Sequence, residues 1–327
     1  MISFTSFLSN HAVVQTLQRA ASPAGRLSHA YLLHGTKGLG KRTLARIFAA
    51  GLLCGADERP CGQCNSCHKV EKESHPDLMV LRRQADKSVI TVEQIRTMRE
   101  QAWLRPNESE RRVILLEGAD QMNPAAVGAL LKILEEPPSY LVFILTADNM
   151  DAMPDTIASR CVCLELSEVP RLQAEKWLVR QFPDEDAILI DRALLCGGGN
   201  LGRCIAFLKG EREAASFELA LTVMKSLTTG REFDIMTALS PLEGDREGFL
   251  QLLTDLDQLA GQIARAGFIL PESSEIAHLA AGISPARAIR IHQLGDDLRR
   301  RLILNGNLSL LLGTCCAGLR QIMEQPV

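Results

Sequence analysis

Residues 35–43 read GTKGLGKRT, and this glycine-rich stretch decides the fold that the sequence predicts. An apolar run at 30–33 precedes it and a helical pattern at 44–53 follows it, which is the strand, turn and helix context of a phosphate loop. Glycines let backbone N–H groups turn toward an anion without a Cβ clash, and the positive end of the following helix points at the same place. We expect Lys41 to reach the outer phosphates of a nucleotide.

One position of this loop departs from the pattern of a magnesium-dependent nucleotide site. Arg42 stands where a serine or threonine hydroxyl usually holds Mg²⁺, and Thr43 comes one residue later, a rotation of about 100° on a helix. The loop is therefore predicted to bind phosphate and to hold metal poorly, which leaves binding of ATP or ADP open. A chance glycine-rich turn is the alternative. The residues of the loop predicted to contact a nucleotide are Gly35, Gly38, Gly40, Lys41 and Thr43.

Composition limits the classes of protein to which the chain can belong. Its 327 residues suggest two or three domains, and an apolar content of 46% is enough for sizeable cores. Aromatic residues make up only 4%, which argues against a surface that stacks single-stranded bases, and the net charge of −3 argues against a broadly basic DNA-binding coat. We find neither a signal-peptide pattern nor an apolar run of about 18 residues, so a cytoplasmic protein without membrane contact is expected.

Ten cysteines are present, and four of them lie close together at Cys54, Cys61, Cys64 and Cys67. In a cytosolic chain this spacing favours a metal site over disulfides. Two overlapping Cys-x2-Cys steps let the backbone fold around thiolates, and a fourth sulfur completes a tetrahedron. The pattern predicts one structural Zn²⁺ with no position left for water. An iron–sulfur cluster and four unligated thiols are the alternatives.

The acidic residues of a nucleotide hydrolase are incomplete in this sequence. The apolar run at 113–116 predicts a buried parallel strand, and Glu117 follows at its carboxyl end, where such sheets bind their ligands. A hydrolase usually has an aspartate here for Mg²⁺ and then a glutamate that activates water, whereas Gly118 stands in the second position. Glycine cannot act as a base. Another apolar run, at 141–146, ends just before Asp148 and predicts a second strand that reaches the same site.

These patterns predict an α/β P-loop domain with a mostly parallel sheet, helices on both of its faces and a zinc module inserted at 54–67. Strand signals vanish from Pro170 onward. Residues 171–208 read as three short helices, and residues 211–327 continue as helices.

Several motifs together resemble the clamp-loader branch of AAA+ proteins, to which the clamp-loader subunits of bacterial DNA polymerase III belong. They are Leu-Ser-His-Ala-Tyr-Leu at 27–32, the four-cysteine insert, Ala-Leu-Leu-Lys-Ile-Leu-Glu-Glu-Pro-Pro at 129–138 and Ser-Arg-Cys at 159–161. These motifs cover half of the chain, and the C-terminal third matches only in length and helical character. The resemblance implies three domains: an AAA+ nucleotide-binding-like domain at 1–167, a small helical lid at 168–209 and an all-α collar at 210–327 that holds a ring together.

The resemblance also implies residue roles and partners. In that family the arginine of Ser-Arg-Cys reaches the ATP of a neighbouring subunit, and Arg160 matches this arginine finger. Gly202-Arg203 resembles, more weakly, the lid position from which an arginine contacts nucleotide. The implied partners are gamma/tau-like motor subunits and a delta subunit in a five-subunit ring, the sliding clamp, and primed DNA reached through the assembled complex.

Three functions follow from these observations. The departures at Arg42, Glu117 and Gly118 favour a non-hydrolysing, stator-like clamp-loader subunit over an active ATPase motor of the same family. The alternative from a different class is a zinc-module DNA-binding protein on an unrelated nucleotide-binding scaffold. Lys69 and Lys72 alone do not make a basic flank beside the cysteines, which argues against it.

Overall fold

The computed structural model describes residues 2–84, 87–229, 232–268 and 273–325. A five-stranded sheet, parallel throughout, forms the centre of the first half of the chain. Its strands are β1 (Ala30–His34), β2 (Leu78–Arg82), β3 (Arg112–Glu117), β4 (Leu141–Ala147) and β5 (Val162–Glu165). The α-helices of this half are α1 (His11–Ala21), α2 (Lys41–Leu53), α3 (Asn65–Glu71), α4 (Val92–Ala102), α5 (Pro124–Glu135) and α6 (Asp155–Ala158).

The strand order is β2-β3-β4-β1-β5, so the first strand of the sequence lies between the last two. Ala30 of β1 is opposite Phe143 of β4, and Tyr31 is opposite Val162 of β5. Since the strands are parallel, their carboxyl ends meet at one edge of the sheet. The turn after β1 therefore lies on the same edge as the turns after β3 and β4, where α/β sheets bind ligands.

Both faces of the sheet are buried at its central strands β1, β3 and β4, which explains the continuous apolar runs in these strands. Successive side chains of β3 point to opposite faces: Val113 and Leu115 belong to the core packed with α1 and α2, whereas Ile114 and Leu116 belong to the core packed with α4 and α5. The predicted α/β fold with helices on both faces of a parallel sheet is confirmed.

The helices of this half begin at the local signals in the sequence. A capping box starts α4, in which the Thr91 side chain accepts from the N–H of Gln94 and the Gln94 side chain accepts from the N–H of Thr91. In α5 the Asn123 side chain accepts from the N–H of Ala126 at 2.8 Å, and Pro124 takes the first helical position. These contacts satisfy N–H groups that a helix start otherwise leaves unpaired.

The second half of the chain is helical, as predicted. Its helices are α7 (Arg171–Gln181), α8 (Ala187–Gly197), α9 (Leu201–Leu208), α10 (Arg212–Thr229), α11 (Glu232–Leu239), α12 (Arg246–Ala266), α13 (Ser274–Gly282), α14 (Pro285–Ile303) and α15 (Leu308–Glu324). The chain divides into two compact units, one of residues 1–173 with 200–202 and the other of residues 174–199 with 203–327. A further division of the second unit into a lid and a collar stays a prediction.

Helix α12 forms the core of the second unit. Its buried residues recur at helical spacing and include Phe249, Leu252, Leu253, Leu256 and Leu259. This stripe packs against α10 and α14 on either side. None of the helices in the described part of the chain is long and apolar enough to span a membrane.

A buried carboxylate ties the loop after α4 to the start of β2. Asp77, which has no exposed surface, accepts hydrogen bonds from the backbone N–H groups of Asn107, Glu108 and Ser109 at 2.5, 2.8 and 2.8 Å. Burial raises the pKa of Asp77, but these three donors outweigh it and the pKa lies below its ordinary value. Nothing in the sequence around Asp77 pointed to this contact.

The Asp77 contact predicts a pH-dependent part of the stability. Its contribution is fully present above the unfolded pKa of about 4 and is lost as the pH falls through the lower pKa of the folded chain. We expect Asp77→Asn to lower the free energy of unfolding at pH 7 by about 2 kcal/mol, because charge-assisted hydrogen bonds are lost. Urea unfolding at several pH values measures this. An equal loss in the exposed control Asp184→Asn would contradict the assignment.

Candidate functional site

The loop between β1 and α2 has the geometry of a phosphate loop. Gly35, Gly38 and Gly40 have φ angles of 137°, 96° and 83°, in the left-handed region that favours glycine. A Cβ on Gly35 would lie 2.6 Å from the carbonyl oxygen of Leu166, and one on Gly38 would lie 2.2 Å from Oδ1 of Asn200. The backbone therefore requires glycine at these positions, and the predicted strand, glycine-rich turn and helix are present.

Lys41 is buried at the start of α2 and its ammonium is fully engaged. Its side chain is 5% exposed, and Nζ donates to the carbonyl oxygens of Gly35 at 2.5 Å and Thr36 at 2.7 Å. Oδ1 of Asp148 lies 2.7 Å from the same nitrogen. An ammonium has three N–H donors, so these partners use all of them. A phosphate that binds Lys41 has to displace at least one of these partners. Asp148 is the partner that, like a phosphate, carries a negative charge.

Asp120 fixes the turn that carries Asp148. Its Oδ2 accepts from the backbone N–H groups of Asp148 at 3.2 Å and Asn149 at 3.0 Å. The sequence placed Asp148 at the carboxyl end of a strand over the site, and the structure confirms that position. The sequence did not reveal the pairing of Asp148 with Lys41, because Lys41 begins α2 and Asp148 follows β4, more than 100 positions later in the chain.

Arginines surround the acidic residue at the end of β3. The Glu117 side chain has no exposed surface, and its carboxylate lies 3.3 Å from Nε of Arg42, 3.4 Å from Nη2 of Arg46 and 3.6 Å from Nε of Arg82. Thr43 is exposed on the first turn of α2. Positive charge near Glu117 is thus supplied by side chains of the chain itself. Arg42 was predictable from its place in the phosphate-loop pattern, whereas Arg46 and Arg82 were not, because their spacing carries no motif.

The glycine in the position of the water-activating acid is required by the backbone. Gly118 has a φ of 76° and its N–H donates to Oγ1 of Thr146 at 3.1 Å. A Cβ here would lie 3.1 Å from Nε2 of Gln121. Any acidic side chain at this position would adopt a strained backbone conformation and press on its neighbour. The backbone of the turn after β3 therefore disfavours an acidic residue in the position of the water-activating base.

Arg160 lies just after α6, with its base anchored and its guanidinium partly exposed. Nη1 donates to the carbonyl oxygen of Thr156 at 2.9 Å, and Nη2 donates to Oε1 of Glu135 at 2.8 Å. The side chain of Arg160 is 35% exposed, and that of Glu135 is 52% exposed. Exposed ion pairs of this kind contribute about 0–1 kcal/mol, so Glu135 can be exchanged for another anion at little cost. The role of Arg160 as an arginine finger stays a prediction.

Arg203 lies in the other compact unit, on α9. Its guanidinium donates to Oε1 of Gln258 at 2.7 Å and forms an ion pair with the buried Asp255. Both partners are on α12. The nucleotide-sensing role that the resemblance implied for Arg203 stays a prediction.

Four cysteine sulfurs form a compact cluster beside the end of α2. Cys54 follows the last residue of α2, Cys64 caps α3 and Cys67 lies inside α3. The Sγ distances are 3.6 Å for Cys54–Cys61, 3.8 Å for Cys54–Cys64 and 4.0 Å for Cys61–Cys67, and all four sulfurs lie within 4.8 Å of one another. Four sulfurs at about 2.3 Å from a zinc ion form a tetrahedron with edges of about 3.8 Å.

This geometry fits one metal ion. A multi-iron cluster places its irons and sulfides between the cysteine sulfurs and holds them farther apart, so the short distances argue against that alternative. None of the ten cysteines is in a disulfide. The N–H groups of Gln63 and Cys64 lower the pKa of Cys61 to about 6, whereas burial raises the pKa of Cys54 and Cys67. A cation among them would stabilise all four thiolates.

The phosphate loop, the parallel sheet and the cysteine module define a P-loop AAA+-type domain with an insert whose four cysteines could hold a metal ion, followed by a helical unit. Residues 9–170 match the family model described as DNA polymerase III, delta subunit. The DNA polymerase III subunit delta' of Pseudomonas aeruginosa is 38% identical over 53% of this chain and 53% of its own length. The chain belongs to the delta-prime clamp-loader family of DNA polymerase III subunits.

The chain is also similar to two other proteins. The DNA polymerase III subunit tau/gamma of Haemophilus influenzae is 34% identical over 52% of this chain and 25% of its own length. A gamma subunit-related protein of DNA polymerase III from Thermotoga maritima, of known structure, aligns with 95% of this chain and 99% of its own at 18% identity, with a TM-score of 0.49. The match to the delta' relative spans only about half of that protein's length.

The cysteine cluster predicts one bound metal ion per chain. We expect elemental analysis of the purified protein to find one zinc per chain, with no visible iron–sulfur absorbance. Cys64→Ser should lower the thermal midpoint and the zinc content, because a metal that bridges α2 and α3 is released. The exposed Cys163→Ser outside the cluster is the control and should change neither. A protein with no metal and unchanged stability in Cys64→Ser would contradict the prediction.

The pairing of Lys41 with Asp148 predicts that the chain blocks its own phosphate site. We expect Asp148→Asn to raise the affinity for ATP about tenfold, or about 1.4 kcal/mol, because Lys41 no longer has a competing anion. Isothermal titration with ATP measures this. Asp151→Asn removes the same charge from the same cleft without touching Lys41, and serves as the control. Equal gains in both variants would show a general charge effect and reject the specific pairing.

Proposed function

We propose that the chain is a non-hydrolysing, stator-like subunit of a DNA polymerase III clamp loader. It would help to load the sliding clamp onto primed DNA. The family assignment supports the complex, and the site supports the absence of hydrolysis. One observation carries the second part: Arg42 lies 3.3 Å from the buried Glu117, in the position from which a hydroxyl would hold Mg²⁺. Phosphoryl transfer needs that metal to balance the charge that develops on the phosphate.

The active contribution of this chain would be made in a neighbouring subunit. An arginine finger must be anchored at its base, reach outward and release its resting partner cheaply. Arg160 meets these needs, since it lies two residues after α6 and is partly exposed, and its guanidinium is paired with Thr156 and the half-exposed Glu135. Its planar guanidinium suits the charge spread over a transferring phosphoryl group. The geometry thus supports Arg160 as a finger for a neighbour's ATP.

The other parts of the proposal rest on the family. The partners are gamma/tau-like motor subunits and a delta subunit in a five-subunit ring, with the sliding clamp and primed DNA as the objects of the complex. The cysteine module would hold a structural Zn²⁺, because its sulfurs enclose a space for one ion and leave no position for water. Weak binding of ATP or ADP to the phosphate loop is part of the proposal.

The active-motor alternative has one observation in its favour, the similarity to a tau/gamma subunit. It requires the isolated chain to hydrolyse ATP, and Gly118 leaves the site without a base. A turnover that disappears in Lys41→Ala would establish a motor and overturn our proposal. Salt-dependent binding of the isolated chain to DNA would instead favour the zinc-module DNA-binding alternative.

The arginine-finger proposal predicts the effect of Arg160→Ala in the assembled complex. The chain should fold and assemble normally, while DNA-stimulated ATP turnover and clamp loading fall, because one site of the ring loses about 10³–10⁵ in rate. Arg160→Lys should rescue poorly, since a point charge cannot reproduce the planar fork. The measurement is ATP turnover and clamp loading by a complex mixed from this chain and candidate motor and delta subunits.

Glu135→Gln separates this role from a structural salt bridge. It breaks the same ion pair as Arg160→Ala but keeps the guanidinium. If the finger proposal holds, Glu135→Gln retains turnover and clamp loading. If the two variants lose activity equally, the ion pair itself is what matters. Normal clamp loading by a complex that carries Arg160→Ala would contradict the arginine-finger proposal.

A further inference from the structure

Arg203 is held by the most buried ion pair of the second unit's described residues. Its side chain is 18% exposed, and the carboxylate of its partner Asp255 has no exposed surface. A second N–H group of the guanidinium donates to Oε1 of Gln258 at 2.7 Å. The arginine comes from α9 and both partners come from α12, so the contact crosses from the short helices that follow the sheet domain to the core of the helical unit.

The partners of Arg203 belong to a network that joins four helices. Asp255 also accepts from the hydroxyl of Ser216 on α10 at 2.6 Å. Gln258 donates to the carbonyl oxygen of Leu195 on α8 at 3.1 Å, and Gln262 donates to the same oxygen at 3.1 Å. Helices α8 and α9 are therefore fastened by polar contacts to α10 and α12. This agrees with the grouping of 174–199 and 203–327 into one compact unit.

The energetics of the pair indicate that it fixes an arrangement. Burial raises the pKa of Asp255 above its ordinary value, although Arg203 acts in the opposite direction. The ionised carboxylate is thus not fully compensated, as is usual for buried ion pairs, whose net contribution to stability is small. Removal of the arginine alone, however, leaves a buried charge without its partner, which costs far more. The pair therefore permits one arrangement of α9 on α12 and penalises others.

We propose that Arg203 is a positioning residue that locks α8 and α9 onto α10 and α12, so that the helical unit moves as one body. An arginine that turned toward a nucleotide would leave the buried carboxylate of Asp255 without its charged partner. The geometry therefore assigns Arg203 to this lock in place of nucleotide sensing. The inference concerns the isolated chain and does not depend on the proposed clamp-loader function.

Stability measurements test the lock. Arg203→Ala is expected to lower the folding equilibrium constant by about 10²–10³-fold, because Asp255 is left unpaired. Arg192→Ala is the matched control, since Arg192 on α8 pairs with Glu218 on α10 at 2.7 Å but both side chains are partly exposed. Its effect should stay below about tenfold. Equal effects of the two alanine variants would overturn the proposal.

An apolar replacement of the pair distinguishes a lock from a sensor. A combined variant of Arg203→Met, Asp255→Leu and Ser216→Ala keeps volume at the contact, removes both charges and leaves no Ser216 hydroxyl without its acceptor. We expect it to restore the folding equilibrium constant to within about tenfold of the wild type, and to restore the hydrogen-exchange protection of α9. Its affinity for ATP, titrated calorimetrically, should equal that of the wild-type chain. A combined variant that folds stably but loses ATP binding would show that Arg203 senses nucleotide. A combined variant that folds no better than Arg203→Ala would also reject the lock.

Discussion

Two buried charges at the carboxyl edge of the sheet each need a partner of opposite sign, and the organisation of the site follows from that need. Lys41 is paired with Asp148, and Glu117 is surrounded by Arg42 and Arg46. In a working ATP site, the phosphate takes the place of Asp148 beside the lysine, and Mg²⁺ takes the place of the arginines beside the acidic residue. Here the chain supplies both countercharges from its own side chains. The phosphate loop and its helix can therefore be stable without a nucleotide, because each buried charge already has a countercharge within the chain.

Much of the fold could be predicted because its signals are local. The apolar runs at 30–33, 113–116 and 141–146 identified three of the five strands, and the helix caps at Thr91 and Asn123 are contacts between residues three positions apart. The cysteine cluster was predictable for the same reason, since all four residues lie within 54–67 and a short segment can close around one ion. Glycine at Gly118 was recognised as a missing base, but only the backbone shows that its left-handed conformation excludes an acid.

The pairings of charged residues could not be predicted, because they join elements far apart in the sequence. A motif can place Arg203 at the start of a helix, yet Asp255 becomes its partner only through the packing of α9 on α12. In the same way, Asp148 was expected near the site without any indication that it would hold Lys41. A sequence specifies which charges are present, whereas tertiary packing decides which of them neutralise one another, and that decision separates a sensor from a lock.

The position of β1 between β4 and β5 has a consequence for the order in which the domain can be assembled. This strand is buried and apolar, and both of its neighbours are synthesised long after it. Long-range pairing of this kind is slow and leaves apolar surface exposed in the meantime. The cysteine module, by contrast, lies next to α2 in sequence and can close as soon as it leaves the ribosome. A metal ion bound there would hold the C-terminal end of α2 in place before β4 and β5 are synthesised and can pair with β1.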